Sequence, residues 1–431
     1  MQDIIPPEES KQKSAKKIGG SLLNTPQEPT AVDDPIIIED EKKTADEAPK
    51  KRLFHKLKFW NWSFDWWSNW GRWKKITVSF LVVLFIAAAT AAALYSTYWR
   101  QNQPELVVTK HKKPAPTTVA SPLTGLQIDP SLAGRPVTGI MIENSPDARP
   151  QSGIQDAGVV FEAIAEGGIT RFMTLYQDAQ PQYIGPVRSL RPYYLDMAAP
   201  FQASIAHVGG SPEALSEVRN GHYRDIDQFF NSGYYWRISS RFAPHNVYTS
   251  FEKLDQLNKA KGYTSSQYTP WLRKKDKKLA TPTAATIDFQ ISSPLYYAHY
   301  DYDAASNTYN RSEGGAAHKM LTSAGDKTGV QLHPNVVIAA VMNYGIASDG
   351  QHSTYADTGS GTAYIFQDGG VTVGQWHKAD NATMITFTDD KGAPFKINAG
   401  QTWVTLVADT GKVHYTAPPP PPPAAPPAKT P

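Results

Sequence analysis

The chain has 431 residues, 40% of them hydrophobic, and 43 Lys and Arg against 40 Asp and Glu give a formal net charge of +3. That length holds two or three domains with real cores, and so small a charge without a basic stripe argues against nucleic acid as a partner. Cysteine is absent, which excludes disulfides, thiolate metal sites, a cysteine nucleophile and a lipidated cysteine.

Residues 1–50 are rich in Glu, Lys, Pro and Ser with few aromatics, the composition of a disordered tail. KRLFHKLKFWNWSFDWWSNWGRWKK (51–75) holds six of the eleven tryptophans among basic residues, as expected of a segment lying in a membrane interface. ITVSFLVVLFIAAATAAALYSTY (76–98) carries no charge. As a helix rising about 1.5 Å per residue it is roughly 34 Å long, enough to cross a hydrocarbon core of about 30 Å. Residues 51–98 should therefore engage membrane lipid. Arg72, Lys74 and Lys75 before the span, against Arg100 just after it, place the N-terminus in the cytoplasm and the body outside. Residues 99–120 read as a polar stalk stiffened by Pro114 and Pro116.

The body follows. RPVTGIMIEN (135–144) reads as a buried strand. GVVFEAIAEG and ITRFMTLYQD form a hairpin through Gly167 and Gly168. FQASIAHVGGSPEALSEV reads strand, Gly-Gly turn, helix, with Ser211 as N-cap and Pro212 at the first helical position. TSFEKLDQLNKA (249–260) opens on Thr249 and Glu252, a capping box, with Phe251, Leu254 and Leu257 on one face. Residues 263–286 turn polar, basic and Pro-broken, the signature of a linker between domains 121–262 and 287–412. Beyond it helix signals nearly vanish, and strand runs meet at turns such as Asp368-Gly369-Gly370. The tail 413–431 is Pro-rich, extended or disordered, and serves as a spacer or a ligand for an aromatic groove. The fold class expected is α+β: a mixed α/β first domain, then a small antiparallel β domain, with one N-terminal transmembrane helix.

PLTGL, RPVTGIMIENSPDARPQSG, FEAIAEGGITRFMTLYQ, IGPVRSLRPYYLD and RFAPHNVY, with GTAYIFQDGGVTVGQW and GQTWVTLV further on, resemble the YerB-like family of bacterial proteins named as lipoproteins. The resemblance spans about 121–410. It implies an extracytoplasmic place in the cell envelope and paired N- and C-terminal domains of unknown function, without an agreed activity. Family members commonly begin with a lipidated cysteine; here the span 76–98 stands in its place.

If Gly185-Pro186 ends a strand and Pro192 opens a helix, Arg188 and Arg191 lie at a strand-to-helix junction. Such junctions favour anions, and guanidinium forks match carboxylate or phosphate. His207, Gly209 and Gly210 form a second junction. Strand ends side by side make the usual ligand crevice, expected here to be lined by Arg188, Ser189, Arg191, His207, Gly209, Gly210 and Ser211, with His245 and Asn246 contributing. The alternative is a structural ion network, in which the arginines pair with Glu143, Glu162 or Glu166. Glu162 and Glu166 share a strand face, suiting either acid–base work on a glycan or a pairing with Arg171. Three functions stay open: an envelope protein binding an anionic or glycan ligand, a wall hydrolase using Glu166 or His207, and a structural adaptor. A wall polymer or another envelope protein is the expected partner. No cofactor motif appears, His299, His318, His333 and His352 form no metal-ligand spacing, and Ser189 and Ser211 lack a G-x-S-x-G elbow.

Overall fold

The computed structural model describes residue 67 and residues 69–102 and 117–418. The expected tail 1–50, nearly all of the interfacial segment 51–75, most of the stalk 99–120 and the tail beyond 418 lie outside the described residues. Two compact units emerge. In one, helix α1 (Arg72–Gln101) has no buried residue and is long and apolar enough to cross a membrane. In the other, residues 117–418 form the body.

The body is built on a ten-stranded sheet that takes strands from both halves of the sequence. From the first half come β1 (Thr138–Glu143), β2 (Val159–Glu166), β3 (Ile169–Tyr176), β4 (Ser204–Ala206) and β5 (Arg224–Asp225). A second sheet of five strands contains β6 (Thr286–Phe289), β7 (Ala298–Asp303) and β8 (Thr308–Glu313). The large sheet then takes β9 (Val336–Val341), β10 (Gly359–Gln367), β11 (Gly370–Lys378), β12 (Thr386–Thr388) and β13 (Thr402–Val407). Its order is β12-β11-β10-β9-β13-β2-β3-β1-β4-β5. The chain ends its described course in β14 (Val413–Thr416), which pairs with β6 in the smaller sheet.

Alternation decides which core each residue joins. In β3, Met173 and Leu175 pack on one face of the large sheet and Phe172 and Tyr176 on the other. Helix α2 (Pro192–Ala198) and helix α3 (Pro212–Asn220) cover the first face; α4 (Phe251–Ala260) buries Phe251, Leu254 and Leu257 on the second. A third core joins Val337, Ala339 and Phe366 to Phe289 and Tyr300, between the two sheets.

The hairpin at Gly167 and Gly168, both with positive φ, and the cap and first residue of α3 follow the sequence expectation. Three points differ from it. The cap of α4 is Ser250, whose side chain accepts from Lys253 N, because the Thr249 hydroxyl donates to Tyr234 O instead. The stretch 263–286 is not a free linker: Trp271 is buried and donates Nε1 to Ile385 O, Arg273–Lys274 pairs with Ile397–Asn398, and Ala284 is fully buried. The second half is neither separate nor wholly antiparallel, since β13 runs parallel to both β9 and β2 and so stitches the halves together. Every residue of β13 is buried, which a sheet edge would not allow.

Candidate functional site

The segment Arg188–Arg191 and the turn Val208–Ser211 lie side by side, as the two strand-end junctions should. Val208 N donates to Arg188 O, Leu190 N to Gly209 O and Ser211 N to Leu190 O. Gly209 has φ +63°, and a Cβ on Gly210 would sit 3.0 Å from Leu190 O. The two glycines thus let the segments meet each other, rather than admitting a ligand.

The side chains on this frame point to three different places. Arg191 is fully buried at the N-cap of α2 and meets Glu166 Oε2 at 2.5 Å, while Arg171 meets Glu166 Oε1 at the same distance. Burial alone would raise the Glu166 carboxyl, but the charges and hydrogen bonds of Arg171 and Arg191 outweigh it and hold it down at about 2. A carboxylate held so cannot lend a proton near neutral pH, so Glu166 is no general acid. Nor is it paired with Glu162: a bulge between Ile164 and Glu166 breaks their shared spacing. Glu162 is wholly buried, 2.8 Å from Arg311, and accepts from Trp403 Nε1. Arg191 and Glu166 therefore belong to a structural ion network, not to the expected crevice.

His207 is also fully buried. Its Nδ1 lies 2.7 Å from Gly209 O and its Nε2 3.0 Å from Asp225 Oδ1, both acceptors, so the ring donates from both nitrogens. Burial opposes that charge, yet the hydrogen bond to Asp225 and the charges of Asp227 and Asp225 raise its pKa above the ordinary imidazole value. An imidazolium with both protons in use is no base, and His207 leaves the site. So does Ser189, whose carbonyl accepts from Arg171 Nη1. Asn246, buried, accepts from Arg237 Nη1 and braces its own loop. Ser211 caps α3.

Arg188 and His245 remain, and they do meet. Glu143, at the end of β1 and nearly fully buried, accepts at one oxygen, Oε1, from three groups. These are His245 Nδ1 at 2.9 Å, Ser145 Oγ at 2.9 Å and, more distantly, Arg188 Nε at 3.4 Å. With its inner edge on the carboxylate, Arg188 keeps a fifth of its side chain exposed, and no protein acceptor among the described residues takes a hydrogen bond from its Nη atoms. His245, about as exposed, turns Nε2 outward, 3.9 Å from Oδ2 of the exposed Asp147. A carboxylate at Nδ1 fixes the proton there, so Nε2 accepts when the ring is neutral and donates when it is charged. This is not a serine-protease triad, because Ser145 sits at 3.3 Å from Nδ1, the nitrogen Glu143 already occupies. The sequence pointed to Arg188 and His245 but overlooked Ser145 and treated Glu143 only as a partner. The signal was there: both stand in IENSPD, where a strand ends in polar residues.

The motifs that supply this cluster are shared with known proteins. The model described as the N-terminal domain of a protein of unknown function (DUF3048) matches residues 123–264, and its C-terminal counterpart matches 286–404. The break between them falls in the packed stretch 263–286, although the strands of both halves lie in one sheet. A protein of Bacillus subtilis (strain 168) described as "Putative lipoprotein YerB" is 31% identical over 313 residues, covering 70% of this chain and 92% of its own. The crystal structure of the Bacillus subtilis YerB protein superposes with a TM-score of 0.60 at 28% identity, covering 69% of this chain and 99% of that one.

Proposed function

The chain belongs to the YerB-like family with paired DUF3048 domains, and from that premise we propose that it is a membrane-anchored cell-envelope protein whose body binds anionic groups of a wall polymer. One observation carries the reading. A single buried oxygen, Glu143 Oε1, braces Arg188 and His245 from behind and leaves the outer edge of each to solvent. Two outward donors held rigidly by one internal carboxylate suit a phosphate or carboxylate, which arginine matches in a fork. Binding an anion there favours the doubly protonated imidazole, so it takes up a proton and strengthens as pH falls.

The anchor has separate support. Helix α1 stands where the relatives' name implies a lipid, and the basic residues Arg72, Lys74 and Lys75 before it favour a body on the outer side. The alternative of a hydrolase through Glu166 or His207 is not retained, since both are consumed by internal partners.

The test is co-sedimentation of the detergent-solubilised full chain with poly(glycerol phosphate), against neutral dextran as control. Arg188→Gln should weaken the phosphate polymer's binding about 10- to 100-fold, the loss of about 1.5–3 kcal/mol typical of a charged hydrogen bond. Equal binding of wild type and variant, or equal binding of both polymers, rejects the reading.

A further inference from the structure

A second concave site lies apart from the Glu143 cluster. A cleft of about 410 Å³ opens between the N-terminal ends of α2 and α3 and the segment 347–357. Its walls include Asp196 of α2 and Asp357, whose residues are 6% and 7% exposed. The two carboxyls are hydrogen-bonded to each other. Such contact requires a shared proton, because two bare carboxylates would repel. Burial, then the charges of Asp357 and Glu217, push the Asp196 carboxyl up to about 8, so Asp196 is the partner that carries the proton. One oxygen on each residue, Asp196 Oδ1 and Asp357 Oδ2, has no hydrogen-bond partner among the described residues. Orphaned buried carboxylate oxygens at the wall of a cleft lack a donor, and a ligand can supply it.

The surrounding charges say which donor fits. Buried Lys378 stands near the pair, with Nζ donating to Asp380 O, and balances the single negative charge of the protonated pair. Glu213 and Asp349 line the mouth, with His352 ion-paired to Asp349 at 2.5 Å. Glu217 lies close by and accepts from the Tyr223 hydroxyl. The lining is acidic, yet no group of three or more metal-ligating side chains occurs among the described residues. A divalent ion would lack ligands there; a monovalent cation with several donors would not.

We infer that this cleft binds a small ligand through a primary ammonium group, which takes the place of the proton shared by Asp196 and Asp357. The exchange conserves charge: one proton leaves, one ammonium arrives, and Lys378 still balances the second carboxylate. Three N–H donors then reach both orphaned oxygens. Pro192, Tyr193 and Asp196 come from the same IGPVRSLRPYYLD motif as Arg188, so one stretch of chain serves two sites on different sides of its backbone.

The probe is 1,5-diaminopentane, titrated calorimetrically into the solubilised full chain in two buffers of different ionisation enthalpy, with sodium chloride at matched ionic strength as control. One diamine should bind per chain, releasing about one proton at pH 7, with affinity rising about tenfold from pH 6 to pH 7 as the linkage of a single displaced proton requires. Asp196→Asn should lower the affinity about 10- to 100-fold. Binding without proton release, or unchanged binding in a folded Asp196→Asn protein, overturns the inference. If that variant does not fold, Glu213→Gln at the exposed rim decides in its place: weakened binding supports the site and unaltered binding rejects it.

Discussion

Glu143 and Glu166 are both carboxylates beside arginines, and their surroundings give them different work. Glu166 takes a guanidinium on each oxygen, and Arg191 and Arg171 are almost wholly buried against it. Removing one member of such a buried set leaves charge without a partner, which costs about 3–5 kcal/mol. Arg191→Gln should therefore lower the melting temperature sharply while phosphate binding persists, whereas Arg188→Gln should do the reverse. Thermal melts run beside the binding assay check both, and a stable Arg191→Gln protein would contradict the assignment. The pH dependence follows from the depressed carboxyl of Glu166. Its stabilisation is present in full above the ordinary carboxylate pKa and is lost as pH falls toward about 2. The destabilisation caused by Glu166→Gln should thus be largest near neutral pH and shrink below pH ~4. The arginines and His245 stood out in the sequence by type and spacing. Their partners did not, because which carboxylate an arginine meets depends on strands far apart in the chain.

Local elements were legible where local physics sets them: the Gly167-Gly168 hairpin, the Ser211 cap with Pro212, and the buried face of α4. The assembly of those elements was not. GQTWVTLV reads the same whether it closes a small domain or runs down the middle of a large sheet. Its place between β9 and β2 is fixed by partners over 60 and 230 residues away. Trp403 shows the consequence, since its ring packs against Phe172 and its Nε1 donates to Glu162. The same junction holds Arg311 of β8 on Glu162, a fully buried pair joining the two halves. The polar stretch 263–286 misled because exposed lysines surround an anchored Trp271. Trypsin should still cut at the exposed Lys275–Lys278, but the fragments should stay together in native size exclusion and part only in denaturant. Two separately folded pieces would show that the shared sheet is wrong.

For the molecule as a whole, composition and charge located the protein better than they explained it. A single uncharged span with its basic flank accounts for an anchor, and the body's own charges are spent mainly inside. Protease added to intact spheroplasts should digest the body and spare residues preceding α1; protection of β10 and β11 would reverse the orientation. The proposal that most depends on geometry is the anion seat at Arg188 and His245, and His245 reports on it directly. In the full chain labelled with 15N-histidine, inorganic phosphate should shift the His245 Nε2 resonance saturably toward the protonated form, and Arg188→Gln should abolish the shift. A His245 resonance unmoved by phosphate, or moved equally in Arg188→Gln, would contradict the account.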